Sequence, residues 1–130
     1  GGMKMRVSLA RALVSEPHLL LMDEPFSALD EPTRLRLQED FRELCEGRRD
    51  LTVLFVTHSL SEAVFLADRI VFLSQGGKLI KDTQVTFPTV TLQKTRTRSL
   101  RQAQEFFDEL KRLNPFLEIS VGGGAATGVI

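Results

Sequence analysis

The sequence predicts an α/β domain in which short apolar strands alternate with amphipathic helices. Three apolar runs of strand length, residues 19–22, 51–56 and 70–73, lie within residues 1–83. Segments with the apolar spacing of a helix separate each run from the next. This order of strand, helix, strand, helix and strand is typical of a doubly wound α/β fold built on a parallel sheet.

Composition is that of a small globular protein. The chain has 130 residues, of which 42% are hydrophobic and 26% are charged, enough apolar material for one packed domain. Lys plus Arg and Asp plus Glu both number 17, so no overall basic field exists to hold nucleic acid or anionic lipid non-specifically. Any partner must therefore be recognised locally.

Three further features narrow the class of protein to which the sequence can belong. The single cysteine, Cys45, cannot form an intrachain disulfide, and its place on the apolar stripe of a predicted helix indicates a small buried side chain. No apolar run approaches the roughly 18 residues that a membrane span requires. The chain begins at Gly1 rather than Met and carries no signal peptide, which we interpret as a truncated start.

The first helix is predicted over residues 3–14, opening on glycines and followed by Pro17. The next apolar run, residues 19–22, is closed by Asp23 and Glu24 and is typical of a strand buried on both faces of a parallel sheet. Two acidic side chains are therefore expected at the carboxyl end of a buried strand.

The second helix is predicted to begin at Asp30, an N-cap residue with Pro32 in the first turn, and to reach about Cys45. The following strand, residues 51–56, leads into Thr57 and His58. Three residues apart, Ser59 and Glu62 form a capping-box pair, so a short helix should follow the histidine directly. A strand over residues 70–73 and a glycine turn at 76–77 then predict a hairpin.

The character of the sequence changes after about residue 83, and we divide the chain into residues 1–83 and 84–130. Residues 89–98 are rich in Thr, Lys and Arg, which indicates a linker whose cations, Lys94, Arg96 and Arg98 with the nearby Arg101, lie on the solvated surface. Contact with anionic headgroups is the alternative. An amphipathic helix is predicted over residues 100–113, capped by Ser99 and Gln102 and ended by Asn114-Pro115. The glycine-rich residues 122–130 are predicted to be disordered.

Two adjacent carboxylates at a strand end suit phosphoryl transfer from ATP, which needs a carboxylate for the metal, a group for the attacking water and donors around the γ-phosphate. Asp23 would hold Mg²⁺ and Glu24 would orient the water. An apolar run ending in Asp-Glu can also be an ordinary strand followed by an acidic loop, so the neighbouring residues decide between the two interpretations.

Residues 19–30, LLLMDEPFSALD, resemble the Walker B strand and D-loop of ATP-binding cassette (ABC) proteins. Residues 1–6, GGMKMR, are similar to the end of the LSGGQ signature and the helix that it opens, and residues 56–58, VTH, resemble the switch-histidine loop. These motifs follow the family's order and spacing over about residues 1–74. The words DEPFSALD and HSLSEA look like those of nitrate, sulfonate and taurine importers, although related importers share them.

The resemblance implies a P-loop NTPase-like parallel sheet, part of an ABC nucleotide-binding domain, with a C-terminal helical extension. It assigns Gly1, Gly2 and Met3 to a loop whose backbone N–H groups would contact the γ-phosphate bound on a partner subunit. Met3 departs from the usual glutamine. Asp30 would link the halves of a dimer, a role compatible with its N-cap role. His58 would donate a hydrogen bond to the γ-phosphate; the alternatives are a plain helix cap for the glycines and a loop residue for His58. The second histidine, His18, has no motif around it and is interpreted as solvated.

The implied function is that of an ATP-hydrolysing, energy-coupling subunit of an ABC transporter that imports small anions such as nitrate, sulfonate or taurine. ATP and Mg²⁺ are its expected cofactors. Its expected partners are a second ATPase subunit and transmembrane permease subunits, with a substrate-binding protein acting indirectly. No nucleic acid is expected, and the location would be peripheral, on the cytoplasmic face of the inner membrane.

No Gly-x-x-x-x-Gly-Lys-Ser/Thr segment and no glutamine loop occur in the sequence, so these 130 residues alone should neither bind ATP tightly nor hydrolyse it. Two other classes remain open: a soluble ABC ATPase acting on nucleic acid or the ribosome, and a truncated module that only binds. The neutral charge disfavours the first, and the retained Asp23, Glu24 and His58 disfavour the second.

Overall fold

The structure is a computed structural model that describes residues 1–88, 96–121 and 126–129, the backbone alone for residue 121 and for 126–129. The described residues form four α-helices, one 3₁₀ helix and one five-stranded sheet. In chain order they are α1 (Gly2–Leu13), β1 (Leu19–Asp23), α2 (Glu31–Gly47), β2 (Thr52–Thr57), α3 (Leu60–Leu66), β3 (Arg69–Leu73), β4 (Leu79–Gln84), the 3₁₀ helix (Arg98–Gln102), α4 (Gln104–Val121) and β5 (Ala126–Val129).

The sheet confirms the predicted α/β fold and is mixed rather than wholly parallel. Its strand order is β1-β2-β5-β3-β4. β1 and β2 are parallel, with Leu20 opposite Val53 and Asp23 opposite Val56. β4 returns antiparallel to β3 because only a tight turn, with Gly77 at φ 74°, joins them, as the glycine pair predicted. β5 is antiparallel to both β2 and β3, so β1, β2 and β3 all run in one direction.

One face of the sheet carries the hydrophobic core. Alternate strand residues point into it: Leu20, Val53, Phe55, Ile70 and Phe72. α3 contacts β2 and β5, and α4 contacts β3 and β4. α2 adds Leu37, Phe41 and Cys45 to the same core. The helices therefore fix the positions of the strand ends, where the acidic residues and the histidine lie.

The opposite face is bare at β1 and β2, which corrects the prediction of a strand buried on both faces. Leu19 and Leu21 are 56% and 65% exposed, and Leu54 beside Leu21 is 37% exposed. The reason is that the described helices that contact the strands pack on the side of Leu20 and Val53. Within the described residues, only one of the two faces of the apolar strand β1 is therefore buried.

The C-terminal helix differs from the prediction at both ends. Ser99 lies inside the 3₁₀ helix, with its hydroxyl 2.7 Å from that of Thr97, and the chain leaves helical geometry at Ala103 (φ −80°, ψ 145°) before α4 begins. α4 then passes through Pro115, which lacks only the one N–H that its position would donate. Of the predicted apolar face, Leu100, Phe106 and Leu113 are buried, whereas Phe107 is 52% exposed.

Two further predictions for the C-terminal segment are wrong. Residues 126–129, predicted to be disordered, form β5 between β2 and β3, where their backbone meets hydrogen-bonding partners on both sides. Arg96, predicted on the surface, is only 6% exposed, and Arg101 lies with its guanidinium 3.6 Å from the centre of the Phe65 ring. The predicted linker cation Lys94 lies outside the described residues, and the boundary at residue 83 stays a prediction.

Candidate functional site

The adjacent carboxyl ends of β1 and β2 bring the central candidates together. Asp23 is the last residue of β1, and its carboxylate is exposed. Glu24 follows with φ 45°, a left-handed conformation that few non-glycine residues adopt. Its N–H donates to the carbonyl of Val56 at 2.9 Å, which ties the residue to β2 just before Thr57 and His58. The parallel register therefore places the acidic pair and the histidine on one edge.

Glu24 and His58 face each other across this edge. Nε2 of His58 lies 3.1 Å from Oε1 of Glu24, with the histidine side chain 72% exposed and the glutamate side chain 29% exposed. The contact has ion-pair distance, yet Oε1 is shielded from solvent and accepts no well-aligned hydrogen bond within the described residues. A buried carboxylate oxygen without a hydrogen bond has unused acceptor capacity, and here Nε2 of His58 is the group that faces it.

Asp23 has the properties of a ligand for a hard cation. It is exposed at the strand end, and its side chain makes no hydrogen bond or ion pair with another described residue. Mg²⁺ is held in nucleotide sites by one or two carboxylates together with phosphate oxygens. Among residues 1–88, 96–121 and 126–129, no group of three or more His, Cys, Asp and Glu side chains could hold a metal ion by itself. Asp23 thus suits a shared metal site completed by phosphate, and its role stays a prediction.

Behind His58 lies a buried polar cluster that the sequence did not reveal. Ser59 caps α3 as predicted, since its hydroxyl accepts from the N–H of Glu62 at 3.3 Å. The second half of the predicted capping box is absent: the Glu62 carboxylate accepts from the Thr57 hydroxyl at 2.5 Å, and the N–H of Ser59 donates to Thr57 Oγ1 at 3.1 Å. Thr57 has taken the place of the cap N–H as the partner of Glu62.

Glu62 continues this cluster toward α2 and the C-terminal segment. It is 5% exposed, and burial raises its pKa, helped by the nearby Glu24 charge and opposed by hydrogen bonds from Thr57 and Gln38. Gln38 is 2% exposed, and its Oε1 accepts from Arg101 at 2.5 Å. One signal was available in the sequence, because Glu62 is the only charged residue in α3, where every other residue except Ser61 is apolar.

The predicted signature and D-loop residues meet at a second place. A Cβ on Gly2 would lie 2.6 Å from the Thr33 methyl group, so α1 can approach α2 this closely only because residue 2 is glycine. The same Thr33 donates its N–H and hydroxyl to Asp30, at 3.1 and 2.9 Å. These bonds hold the pKa of Asp30 below its usual range and confirm Asp30 as the N-cap of α2.

Gly1 and Met3 are exposed beside Gly2, the Met3 side chain at 73%. Their backbone N–H groups lie at the start of the twelve-residue α1, whose side-chain cap is missing because Gly1 is the N-cap. Gly1, Gly2 and Met3 take no part in the contact between Glu24 and His58. The roles of Gly1, Gly2, Met3 and Asp30 toward a phosphate or a second subunit stay predictions.

Two arginines clamp the far end of α3. Arg42 donates to the carbonyl of Leu66 at 2.7 Å, and Arg96 donates to that of Ala67 at 2.6 Å. Both also pair with Asp68, at 2.9 and 3.0 Å. Burial lowers the pKa of Arg96 to about 10, which leaves it charged at neutral pH. Cations on the last carbonyls of a helix stabilise it, so α3 is held at the end opposite His58.

The remaining residues that the sequence analysis singled out lie away from the contact of Glu24 with His58. Cys45 is a small buried side chain, as predicted, and burial raises the pKa of its thiol to about 12. His18 is exposed beside Asp50, as predicted. None of the described helices has both the length and the apolarity that crossing a membrane requires.

Comparison with known proteins supports the resemblance that the motifs indicated. A family model described as ABC transporter matches residues 1–27. An aliphatic sulfonates import ATP-binding protein of Rhizobium johnstonii is 54% identical over 89 residues, 68% of this chain and 35% of that protein. A protein of the same description from Mycobacterium sp. is 48% identical over 113 residues, 87% of this chain and 42% of that protein.

A third relative is a bicarbonate transport ATP-binding protein of Synechococcus elongatus, 54% identical over 76 residues, 58% of this chain and 11% of that protein. The α/β fold and these matches together make the chain similar to ABC-type ATP-binding proteins. The chain is related to the ATP-binding subunits of ABC importers, and it spans 35% and 42% of the length of the two sulfonate relatives.

Proposed function

We propose that this chain supplies the water-orienting half of the ATPase site of an ABC importer subunit. The observation that carries the proposal is the contact of Glu24 with His58 at the end of two parallel strands, with Asp23 beside it. Glu24, whose side chain is 29% exposed, orients the attacking water and accepts its proton. His58, exposed on the same edge, donates to the transferred phosphoryl group.

Mg²⁺ would be held by Asp23, and when bound it would neutralise charge on the β- and γ-phosphates. The exposed, unpaired carboxylate fits that hard cation. The phosphate cradle, with its glycine-rich loop and lysine, is absent from the sequence and must come from other polypeptide. Gly1, Gly2 and Met3 would present N–H groups to a γ-phosphate on a second subunit, and Asp30 would lie at the junction between the two.

The transported compound is proposed to be a small anion. Two relatives are described as importers of aliphatic sulfonates and another as a transporter of bicarbonate. The partners proposed on the same basis are a second ATPase subunit, permease subunits and, indirectly, a substrate-binding protein, at the cytoplasmic face of the inner membrane. Closure of the two subunits on ATP would change the conformation of the permease.

The test is ATP hydrolysis by a chimera in which the part of the Rhizobium relative that precedes its match to this chain is joined to residue 1 in order to supply a phosphate loop. We expect Mg²⁺-dependent hydrolysis that the isolated chain lacks. Asp23→Asn in the chimera should raise the Mg²⁺ concentration needed for half-maximal rate, whereas Asp40→Asn, an exposed carboxylate of α2, should not. A chimera that folds and binds ATP but never hydrolyses it would contradict the proposed function.

A further inference from the structure

The side chain of His58 makes few contacts that could hold the loop around it in place. The imidazole is 72% exposed, and its described polar contact is Glu24. The backbone conformation decides which rotamers such an exposed side chain can adopt and where they point, so the conformation of residues 57–59 determines whether the imidazole can reach Glu24. The backbone on both sides is fixed by Thr57, which is 1% exposed at the end of β2, and by Ser59, whose N–H donates to Thr57 Oγ1 at 3.1 Å.

Thr57 in turn is oriented by Glu62. The Thr57 hydroxyl accepts from Ser59 with its lone pair and donates its only proton to Glu62 Oε2 at 2.5 Å. A hydroxyl has one proton, so the acceptor that receives it decides the rotation of the group. A carboxylate at position 62 therefore determines how Thr57 presents its oxygen to the residue that follows His58.

The Glu62 carboxylate is itself held from the opposite side. The oxygen of the Gln38 amide is occupied by the Arg101 guanidinium, which leaves the amide N–H groups for Glu62. Arg101 also lies over the Phe65 ring, which fixes the guanidinium between α2 and α3. The series Arg101, Gln38, Glu62 and Thr57 is thus a buried polar path from the C-terminal segment to the histidine loop.

We propose that Glu62 and Thr57 are positioning residues for His58, and that Gln38 and Arg101 tie this arrangement to the C-terminal segment. The inference rests on the proposed function for its kinetic consequence, and on the structure alone for its geometry. Thr57 and Glu62 are 1% and 5% exposed, so their proposed effect is exerted through His58 and not by direct contact with phosphate. They act by holding residues 57–59 so that the imidazole faces Glu24, and loss of this geometry misplaces a group on which phosphoryl transfer depends.

The geometric test is nuclear magnetic resonance on the 130-residue chain, in which His58 and His18 are the only two imidazoles. We expect nuclear Overhauser contacts between the His58 ring and the Glu24 methylenes in the wild type. They should be lost in Thr57→Val and Glu62→Met and retained in Thr57→Ser and Glu62→Gln, which keep a hydroxyl and an acceptor. Thr52→Val, at the exposed start of β2, is the matched control, and the His18 signals should not move.

The kinetic test uses the hydrolysing chimera. Thr57→Val and Glu62→Met should lower kcat by about 10-fold to 100-fold with little change in the KM for ATP, because positioning is lost while binding contacts remain. Arg101→Met should give a smaller loss of kcat, since it keeps the packing on Phe65 and removes the bond to Gln38.

The outcomes separate the two proposals. If the chimera hydrolyses ATP and both Thr57→Val and Glu62→Met keep wild-type kcat or keep the contact of His58 with Glu24, the positioning proposal is wrong and the proposed function stands. If the wild-type chimera is inactive, the resonance experiment still decides the geometry. Should one of the two variants fail to fold, the other with its conservative counterpart gives the same decision.

Discussion

Glu24 occupies a backbone conformation that is costly for a residue with a side chain. At φ 45° its Cβ lies close to neighbouring backbone, and such residues persist only where surrounding contacts hold them. Here the hydrogen bond from its N–H to Val56 supplies that hold. The strained turn directs the carboxylate back across the edge of the sheet toward His58 instead of along the strand into solvent.

Replacing Glu24 with Gln should slow ATP hydrolysis by the chimera by roughly 10²-fold or more while ATP binding is retained, because the amide cannot accept the proton of the attacking water. Single-turnover hydrolysis and nucleotide binding, measured on the same preparation, check this. Glu43→Gln, an exposed glutamate of α2, is the control. Unchanged hydrolysis in the Glu24 variant would remove the general base from the proposal.

The buried Glu62 makes a separate prediction about stability. Because its pKa is raised in the folded chain, its contribution to stability is present below 4.5, the ordinary glutamate value, and is lost as the pH rises through the folded pKa. Glu62→Gln should therefore be more stable than wild type at neutral pH, and this advantage should shrink as the pH falls toward 4.5. Urea unfolding of both proteins across that pH range measures the difference in their free energies of unfolding. The contributions of the other carboxylates are the same in both proteins and cancel in this difference. An advantage that grows on acidification would contradict the raised pKa.

Secondary-structure elements explain which parts of the site the sequence could predict. Local signals were sufficient for the strand ends with Asp23 and His58, for the Asp30 cap and for the glycine turn, because each depends on residues a few positions apart. The contact of Glu24 with His58 could not be derived from periodicity alone, since it depends on the register of β1 against β2. The resemblance to a family supplied the roles that periodicity could not.

Long-range contacts account for the errors. The four cations from Lys94 to Arg101 looked like surface from composition, but Arg96 and Arg101 find partners on α2 and α3 more than 25 positions away in the sequence. Likewise, Glu62 had a good local partner in the predicted capping box and adopted Thr57 instead. β5 formed in a glycine-rich segment because its neighbours, not its own composition, provided the hydrogen bonds.

α4 allows a matched test of packing at the level of one element. Phe106 is 4% exposed and stacks on Phe87, with ring centroids 6.2 Å apart, while its neighbour Phe107 is 52% exposed. Phe106→Ala should lower the free energy of unfolding by about 3–5 kcal/mol. Phe107→Ala should cost less than about 1 kcal/mol, since it removes mainly exposed surface. Thermal and urea unfolding measure both, and equal losses would show that α4 packs through a different face.

The molecule carries Asp23 and Glu24, which we propose hold a metal and orient water, but its sequence contains no Gly-x-x-x-x-Gly-Lys-Ser/Thr segment of the kind that cradles phosphate. Its bare strand face, with Leu19, Leu21 and Leu54 exposed, is of the kind that a larger domain covers. The chain also matches only 35% and 42% of the length of the two sulfonate relatives. Hydrolysis is therefore proposed for an assembly to which this chain contributes one part.

The isolated chain should consequently show no rise in melting temperature with Mg-ATP. Stabilisation by a ligand follows its occupancy of the folded state, and occupancy requires the phosphate anchors that the sequence lacks. Differential scanning fluorimetry with ATP and with Mg-ATP checks this, with the chimera as the positive control. A saturable shift in the isolated chain would mean that its own residues bind nucleotide.

The position of β5 also bears on whether the protein stays in solution. β2 and β3 run in the same direction, and β5 lies between them as four residues, hydrogen-bonded to both. Without it, each would present a row of unsatisfied N–H and C=O groups, the kind of open edge along which separate chains pair and aggregate. β5 satisfies these groups on both neighbouring strands with its backbone, a role that leaves its side chains under little constraint.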